Sequence, residues 1–368
     1  MDAMDKDSPS SGSDGDESTE VGCFDGLGGS SDIGVGRIDT VDDILKPERC
    51  CDALCNPRVL CFAFLREFKR HEQRLSLFRS TEANADWPFI FGTSAWCGAG
   101  EDSNTYLLVW RVACAIIFVG HLGYSMIDDF KDGYWFIYLT HWSLIVETAY
   151  FLFGVATVFA ARPYCQGRKE AQGDPLPWFV RIFWILMHIA MPASFLVALL
   201  FWSILCPIWI CSGQSYLSVF MHGLNFIVMT CDLLIARNVF YLQYTLWFIA
   251  YGFLYFAWSL VHFWARIGTY KPCTTWTSGT CNVDVDCSGS AEMCYDGHCY
   301  VEKYPQDECP IYGVLDWHKA TFTMALFAAL LFIVVPLMQY MLWWCVFRRR
   351  TLGYYIQKDR ENSFSGSE

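Results

Sequence analysis

The sequence predicts an all-α polytopic membrane protein with about six transmembrane helices and an inserted disulfide-rich outer loop. Three observations predict it. Of the 368 residues, 54% are hydrophobic and 17% aromatic, against only 17% charged, a balance that soluble domains rarely carry. Six runs of about 20 or more apolar residues match the length needed to cross a hydrocarbon core roughly 30 Å thick. Lys and Arg are concentrated in alternate loops, as in a chain threaded back and forth through a bilayer.

Residues 1–49 read as a disordered acidic cytoplasmic tail. Up to Glu48 the tail holds ten Asp and three Glu against Lys6, Arg37 and Lys46, and it is rich in Gly and Ser ("DKDSPSSGSDGDESTE"). Such a segment buries too little apolar surface to fold. It has no basic stretch followed by an apolar one, so it does not read as a secretory signal peptide, and the first span is expected to direct insertion.

Residues 50–105 form a basic, cysteine-rich juxtamembrane segment. Leu60, Phe64, Phe68, Leu75 and Phe78 can share one side of a helix lying on the cytoplasmic leaflet, with Arg and Lys toward anionic headgroups. Cys50, Cys51, Cys55 and Cys61 are candidates for palmitoylation. An ordinary basic linker is the alternative.

The spans are expected at about 106–127, 134–161, 178–203, 216–236, 238–266 and 320–347, so that 106–266 holds five helices and 320–347 the sixth. Pro192 should kink the third span without excluding it. The fifth exceeds a perpendicular crossing, which implies tilt or protrusion. Arg58, Arg66, Lys69, Arg70, Arg74 and Arg79 precede the first span; Arg162, Arg168 and Lys169 precede the third. "RRR" at 348–350, Lys358 and Arg360 make 348–368 a basic tail. All agree on cytoplasmic termini, in a membrane of the secretory pathway or the plasma membrane.

The fifth and sixth spans flank an extracytoplasmic loop, 267–319, with Cys273, Cys281, Cys287, Cys294, Cys299 and Cys309 among small polar residues. Outside the cell such a set reads as a disulfide framework, although six cysteines allow 15 pairings. Cys206 and Cys211, in another outer loop, would add a pair. A zinc site competes with this reading, but His298 alone joins the cysteines there.

Inside "YWFIYLTHWSLIVETAYFLFG" (134–154) lie Thr140, His141, Ser143 and Glu147. Ionisable groups are expensive in hydrocarbon and are functional candidates by default. Counting from Tyr134, Thr140 falls about 9 Å below the outer end, and His222 lies at a similar depth counting from Tyr216. Ser143 and Glu147 point roughly 60° and 20° away from Thr140, and Asn225 and Asp232 fall within about 80° of His222, so each helix carries a polar stripe. An imidazole within reach can take the proton of a Thr hydroxyl, and a carboxylate can orient the ring. The candidate catalytic set is therefore Thr140, His222, Asp232 and Glu147, reaching an acyl ester whose chains stay in the bilayer. The competing reading is helix packing through Thr, Ser and His hydrogen bonds. His121, His141, His222 and His262 with Asp128 or Asp316 show no metal-binding spacing on one helix, so no metal or cofactor is assigned.

Together with "MHGLNFIVMTCDLLIAR" and "PIYGVLDW", this stretch resembles the rolling stone proteins, multi-pass membrane proteins named for a role in myoblast fusion. Its first two motifs are similar, more distantly, to the androgen-induced family of intramembrane threonine hydrolases, which act on fatty acid esters of hydroxy fatty acids. That second resemblance implies a nucleophile at Thr140 and a catalytic His at His222, and membrane lipid as substrate. The "LDW" element points to the rolling stone branch, where membership alone does not imply hydrolysis. The alternative is a non-enzymatic surface protein whose cysteine-rich loop binds an extracytoplasmic protein partner. No internal repeat suggests a transporter, and the acidic tail argues against nucleic acid.

Overall fold

A computed structural model of the chain describes residues 86–97, 100–169, 176–205, 215–270, 273–280, 292–295 and 298–349. The acidic tail, the segment with Cys50, Cys51, Cys55 and Cys61, Cys206, Cys211, Cys281, Cys287 and the basic tail beyond Arg349 lie outside them.

Among the described residues six helices are long and apolar enough to cross a membrane, and the membrane part of this integral membrane protein is all-α. A short helix, α1 (Trp87–Gly92), precedes them with Pro88 in its first turn, where the missing N–H costs nothing. Helix α2 (Glu101–Asp129) is the first span. A tight 3-10 segment, Lys131–Ile137, leads into α3 (Leu139–Cys165). Helix α4 (Trp178–Leu200) ends in a π-helical turn, Phe201–Leu205. Helix α5 (Tyr216–Ile235) carries another at Phe220–Leu224. After the 3-10 turn Leu242–Tyr244 comes α6 (Thr245–Trp264), and the last span, α7, is Trp317–Arg349.

Three expected spans differ at their ends; the first begins at Glu101, five residues before 106. The second helix starts at Leu139, not near 134, because Tyr138 is extended (φ −91°, ψ 132°). The apolar run continues across that break, so hydropathy does not register it. Thr140 is thereby the second residue of α3, not six residues deep. The fifth helix is shorter than the apolar run, since the chain from 238 to 241 is not helical and α6 proper has 20 residues.

Small residues and aromatics bind the helices together. At Gly92 a Cβ would meet the Ala161 Cβ at 2.3 Å, so α1 packs against α3 at a distance only Gly permits. Phe91, Phe118, Phe151, Phe183 and Trp184 are fully buried, and their rings meet edge-on or tilted, as in the Phe91–Phe183 pair at 6.0 Å. Pro192 lies inside α4 and is buried.

Between α6 and α7 the inserted loop forms a three-stranded antiparallel sheet, β1 (Thr274–Thr280), β2 (Glu292–Tyr295) and β3 (His298–Glu302), in the order β1-β3-β2. The Cα atoms of Cys294 and Cys299 are cross-strand partners. A disulfide joins Cys273 to Cys309, one pair from the expected set. Cys309 is buried, so the bond ties the base of the loop to the bundle.

Beside it, Asp316 of "LDW" begins α7, its carboxylate accepting the His318 backbone N–H at 3.1 Å. It also accepts from Lys303 Nζ at 2.9 Å and the Tyr304 hydroxyl at 3.1 Å. Burial pushes the Asp316 carboxyl up, but the hydrogen bond and charge of Lys303 outweigh it and hold its pKa below the ordinary carboxylate value. Burial likewise works against the Lys303 ammonium, and Asp316 more than restores it, so its pKa is raised.

Candidate functional site

Helices α3 and α5 run in the same direction and meet through polar side chains in three layers. In the first, near the end of the bundle that bears the inserted loop, His222 lies in the π-helical turn of α5. Its Nδ1–H donates to the Ser218 carbonyl at 2.7 Å, so Nε2 carries the lone pair. The ring stacks on Phe201 at 3.8 Å. His141 lies near enough to His222 for the two rings to interact electrostatically. Its own Nδ1–H donates to the Trp135 carbonyl at 2.6 Å, and its ring stacks on that indole at 4.4 Å. Trp135 in turn donates to Ser125 of α2 at 2.9 Å.

The π turn has a local cause. The Asn225 side-chain carbonyl takes the Phe226 backbone N–H at 2.8 Å, a donor that a regular helix would give to the His222 carbonyl. The freed carbonyl accepts instead from the Trp202 indole of α4 at 2.7 Å. Gly223 leaves room for that indole, since a Cβ there would meet Trp202 Nε1 at 3.1 Å. Turns of this kind concentrate at functional sites.

Thr140, half-buried in the first turn of α3, has its hydroxyl and backbone beside the Tyr312 hydroxyl from "PIYGVLDW". The backbone of Leu139 also lies near that oxygen. The approach does not reach hydrogen-bond geometry, because the Tyr312 oxygen is buried without a partner among the described residues. Burial raises the Tyr312 phenol to about 12. No hydrogen bond joins Thr140 to His222 among the described residues.

The second layer is Glu147 and Asn225, both buried, with Asn225 Nδ2 donating to each Glu147 oxygen at 3.2 Å. Ser143, on the same face, shares a hydrogen bond of 3.2 Å with the Tyr251 hydroxyl of α6.

The third layer contains Asp232, ten residues and about 15 Å along α5 from His222. It does not reach that ring. Its carboxylate accepts from Arg111 Nε at 3.2 Å and Nη2 at 3.4 Å, from Trp110 Nε1 at 3.0 Å and from the Tyr150 hydroxyl. Arg111 also donates to the Phe91 carbonyl at 3.2 Å and to Asn238 Oδ1 at 3.3 Å, and it lies over the Phe183 ring. Arg111 and Asp232 are wholly buried. The sequence reading passed over Arg111. Its signal was a single Arg inside an apolar run, which demands a partner at the same depth.

Among the described residues no three His, Cys, Asp or Glu side chains gather in a way that could hold a metal ion. His121 bonds Tyr216 at 3.1 Å, His262 donates to the Gly268 carbonyl at 2.7 Å, and Asp316 is taken up by Lys303.

The fold and these layers define a class: a six-span α-helical membrane protein with polar helix contacts inside the bundle and a disulfide-anchored loop between its last two spans. The chain is 22% identical over 189 residues to protein rolling stone of Drosophila melanogaster, a match covering 47% of this chain and 64% of that relative. Less than two thirds of the relative's length is therefore spanned. No family model matches the chain, and no solved structure does.

Proposed function

We propose that this rolling stone-like membrane protein is an intramembrane hydrolase of fatty-acyl esters, with Thr140 as nucleophile and His222 as general base. The observation that carries the reading is the pinning of His222: Nδ1–H is spent on the Ser218 carbonyl, leaving Nε2 able to accept a proton. The chemistry rests on the motif likeness to the androgen-induced family and not on the likeness to rolling stone. In the proposed cycle the Thr140 hydroxyl attacks the ester carbonyl while Nε2 takes its proton. The alcohol leaves with that proton, and water then releases the acid from Thr140. The two side chains must close on each other when substrate displaces the Tyr312 hydroxyl from Thr140. The Ser218 carbonyl orients the base, and Asp232 and Glu147 serve the bundle.

The inserted loop faces an oxidising compartment in this reading, with both termini on the cytoplasmic side. The Cys273–Cys309 bond supports that arrangement.

The second reading is a surface protein that binds a protein partner through the loop of 267–319. One observation favours it: the Tyr312 hydroxyl already covers Thr140. Fluorophosphonate labelling of membranes containing the protein separates the two. The hydrolase reading expects labelling of wild type that Thr140→Ala and His222→Ala abolish at equal expression and Ser143→Ala does not. Labelling that survives Thr140→Ala, or none in folded wild type, would overturn it.

A further inference from the structure

We propose that a groove between α2 and α5 binds a phospholipid whose headgroup carries an amine cation. The proposal is independent of the hydrolase reading. The groove has a volume of about 410 Å3 and lies where α2 finishes and α5 starts. Ile116, Ile117 and Leu217 give it an apolar floor, and Asp128 lines its far end. Along α2, Ile116 and Asp128 are about 18 Å apart, so the groove runs from hydrocarbon depth to the polar interface.

The groove is open at Gly120, so a large side chain placed there would fill it. A Cβ at Gly120 would meet no atom within 4 Å. The wall is fixed: His121 donates from Nδ1–H to the Ile117 carbonyl at 2.8 Å, leaving Nε2 to accept the Tyr216 hydroxyl at 3.1 Å. The His121 ring also stacks on Phe220 at 3.5 Å. These polar groups satisfy one another and ask nothing of a ligand.

Asp128 differs. It is exposed and makes no ion pair among the described residues. A carboxylate with no ion-pair partner among the described residues, at the polar end of an apolar groove, selects an amphiphile with a cation at its head. Tyr124 and Tyr216, 53% and 65% exposed, offer ring faces to the same ammonium. A free fatty acid would bring a second carboxylate to Asp128 and be repelled, and a sterol would leave Asp128 unused. In a bilayer the amphiphile of the right chemistry is a phosphatidylcholine or phosphatidylethanolamine molecule, with a chain on Ile116 and Ile117.

The test uses the full chain in phosphatidylglycerol nanodiscs with a trace of diazirine-tailed phosphatidylcholine or diazirine-tailed phosphatidylglycerol, the adducts mapped by peptide. Phosphatidylcholine should label the peptide containing 112–128 about three- to fivefold more than phosphatidylglycerol, the ratio expected for one exposed cation contact. Gly120→Phe should bring phosphatidylcholine labelling to the background of other spans. Asp128→Asn, a surface change that leaves folding intact, should remove the headgroup preference while chain labelling persists. Equal labelling by the two probes in wild type, or a preference that survives Asp128→Asn, would overturn the proposal and leave ordinary boundary lipid.

Discussion

Replacing Arg111 by Met keeps the length of the side chain and removes its charge and donors. Asp232 would retain Trp110 and Tyr150 as donors but lose its only described cation. The Phe91 carbonyl and Asn238 Oδ1 would each lose a hydrogen bond. Two magnitudes compete. If the contacts behaved as ordinary intramembrane hydrogen bonds, averaging about 0.6 kcal/mol, the four would sum to roughly 2 kcal/mol. If the carboxylate is left as an uncompensated buried charge, the cost is about 3–5 kcal/mol. Full burial of both partners favours the larger figure. The double variant Arg111→Met/Asp232→Asn should then lose about 2 kcal/mol less than the sum of the singles, because the neutral amide needs no cation. The assay is reversible SDS-driven unfolding in mixed micelles, followed by Trp fluorescence. A single-variant loss under about 1 kcal/mol, or additivity within about 0.5 kcal/mol, would refute the ion-pair reasoning.

At the other end of the bundle, Asp316→Asn should cost about 1–3 kcal/mol by removing the charged acceptor of Lys303 and of the His318 N–H; protease resistance of the 303–318 segment is the readout. The pH dependence has two limbs. Asp316 has a folded pKa below its unfolded value near 3.9, so its stabilisation is present above about pH 4 and lost as pH falls through the folded value. Lys303 has a raised pKa, so its share is present below about pH 10.4 and lost as pH rises past that. Asp316→Asn should flatten the acid limb, and an unchanged limb would assign it elsewhere. Breaking the Cys273–Cys309 bond with two Ser substitutions releases a 36-residue separation and should cost about 3–4 kcal/mol, read as a lower unfolding midpoint under non-reducing conditions. Gly223→Ala should push the Trp202 indole off the His222 carbonyl at a cost of about 1 kcal/mol, with a shift in indole emission that Trp202→Phe removes.

Much of the fold was legible because apolar length is a one-dimensional property. All six spans are where hydropathy and length put them. The start of α3 was not, since "WFIYLT" is apolar on both sides of the Tyr138 break and a backbone angle leaves no mark on composition. The cysteines announced a disulfide loop, but pairing Cys273 with Cys309 needs the sheet that brings the ends of the loop together. Depth counting made α3 and α5 parallel but levelled Thr140 with His222; because α3 begins at Leu139 the register is shifted by about a helical turn, and the structure levels Glu147 with Asn225 instead. Depth counting could not find what Asp232 touches, because Trp110 and Arg111 come from α2 and Tyr150 from α3. Nor could it bring Tyr312 to Thr140, a contact made by a loop 172 residues further along the chain.

The three layers between α3 and α5 differ in how completely they are satisfied, and that difference separates structural groups from chemical ones. Asp232 has four donors from three side chains, and its guanidinium partner has an acceptor for every nitrogen. A fully bonded buried network rigidifies a bundle and has nothing left to offer a ligand. Glu147 is intermediate, with one amide for both its oxygens. The first layer holds the groups left open: His222 with one nitrogen committed, and a buried Tyr312 hydroxyl with no hydrogen-bond partner among the described residues. It is also the layer where α5 departs from regular helix. Incomplete satisfaction in a buried position costs stability, so the groups in this layer, beside a π turn, are the ones the proposed chemistry would draw on. That is why the fluorophosphonate experiment is aimed at Thr140 and His222 and not at the stronger ion pair 15 Å away along α5.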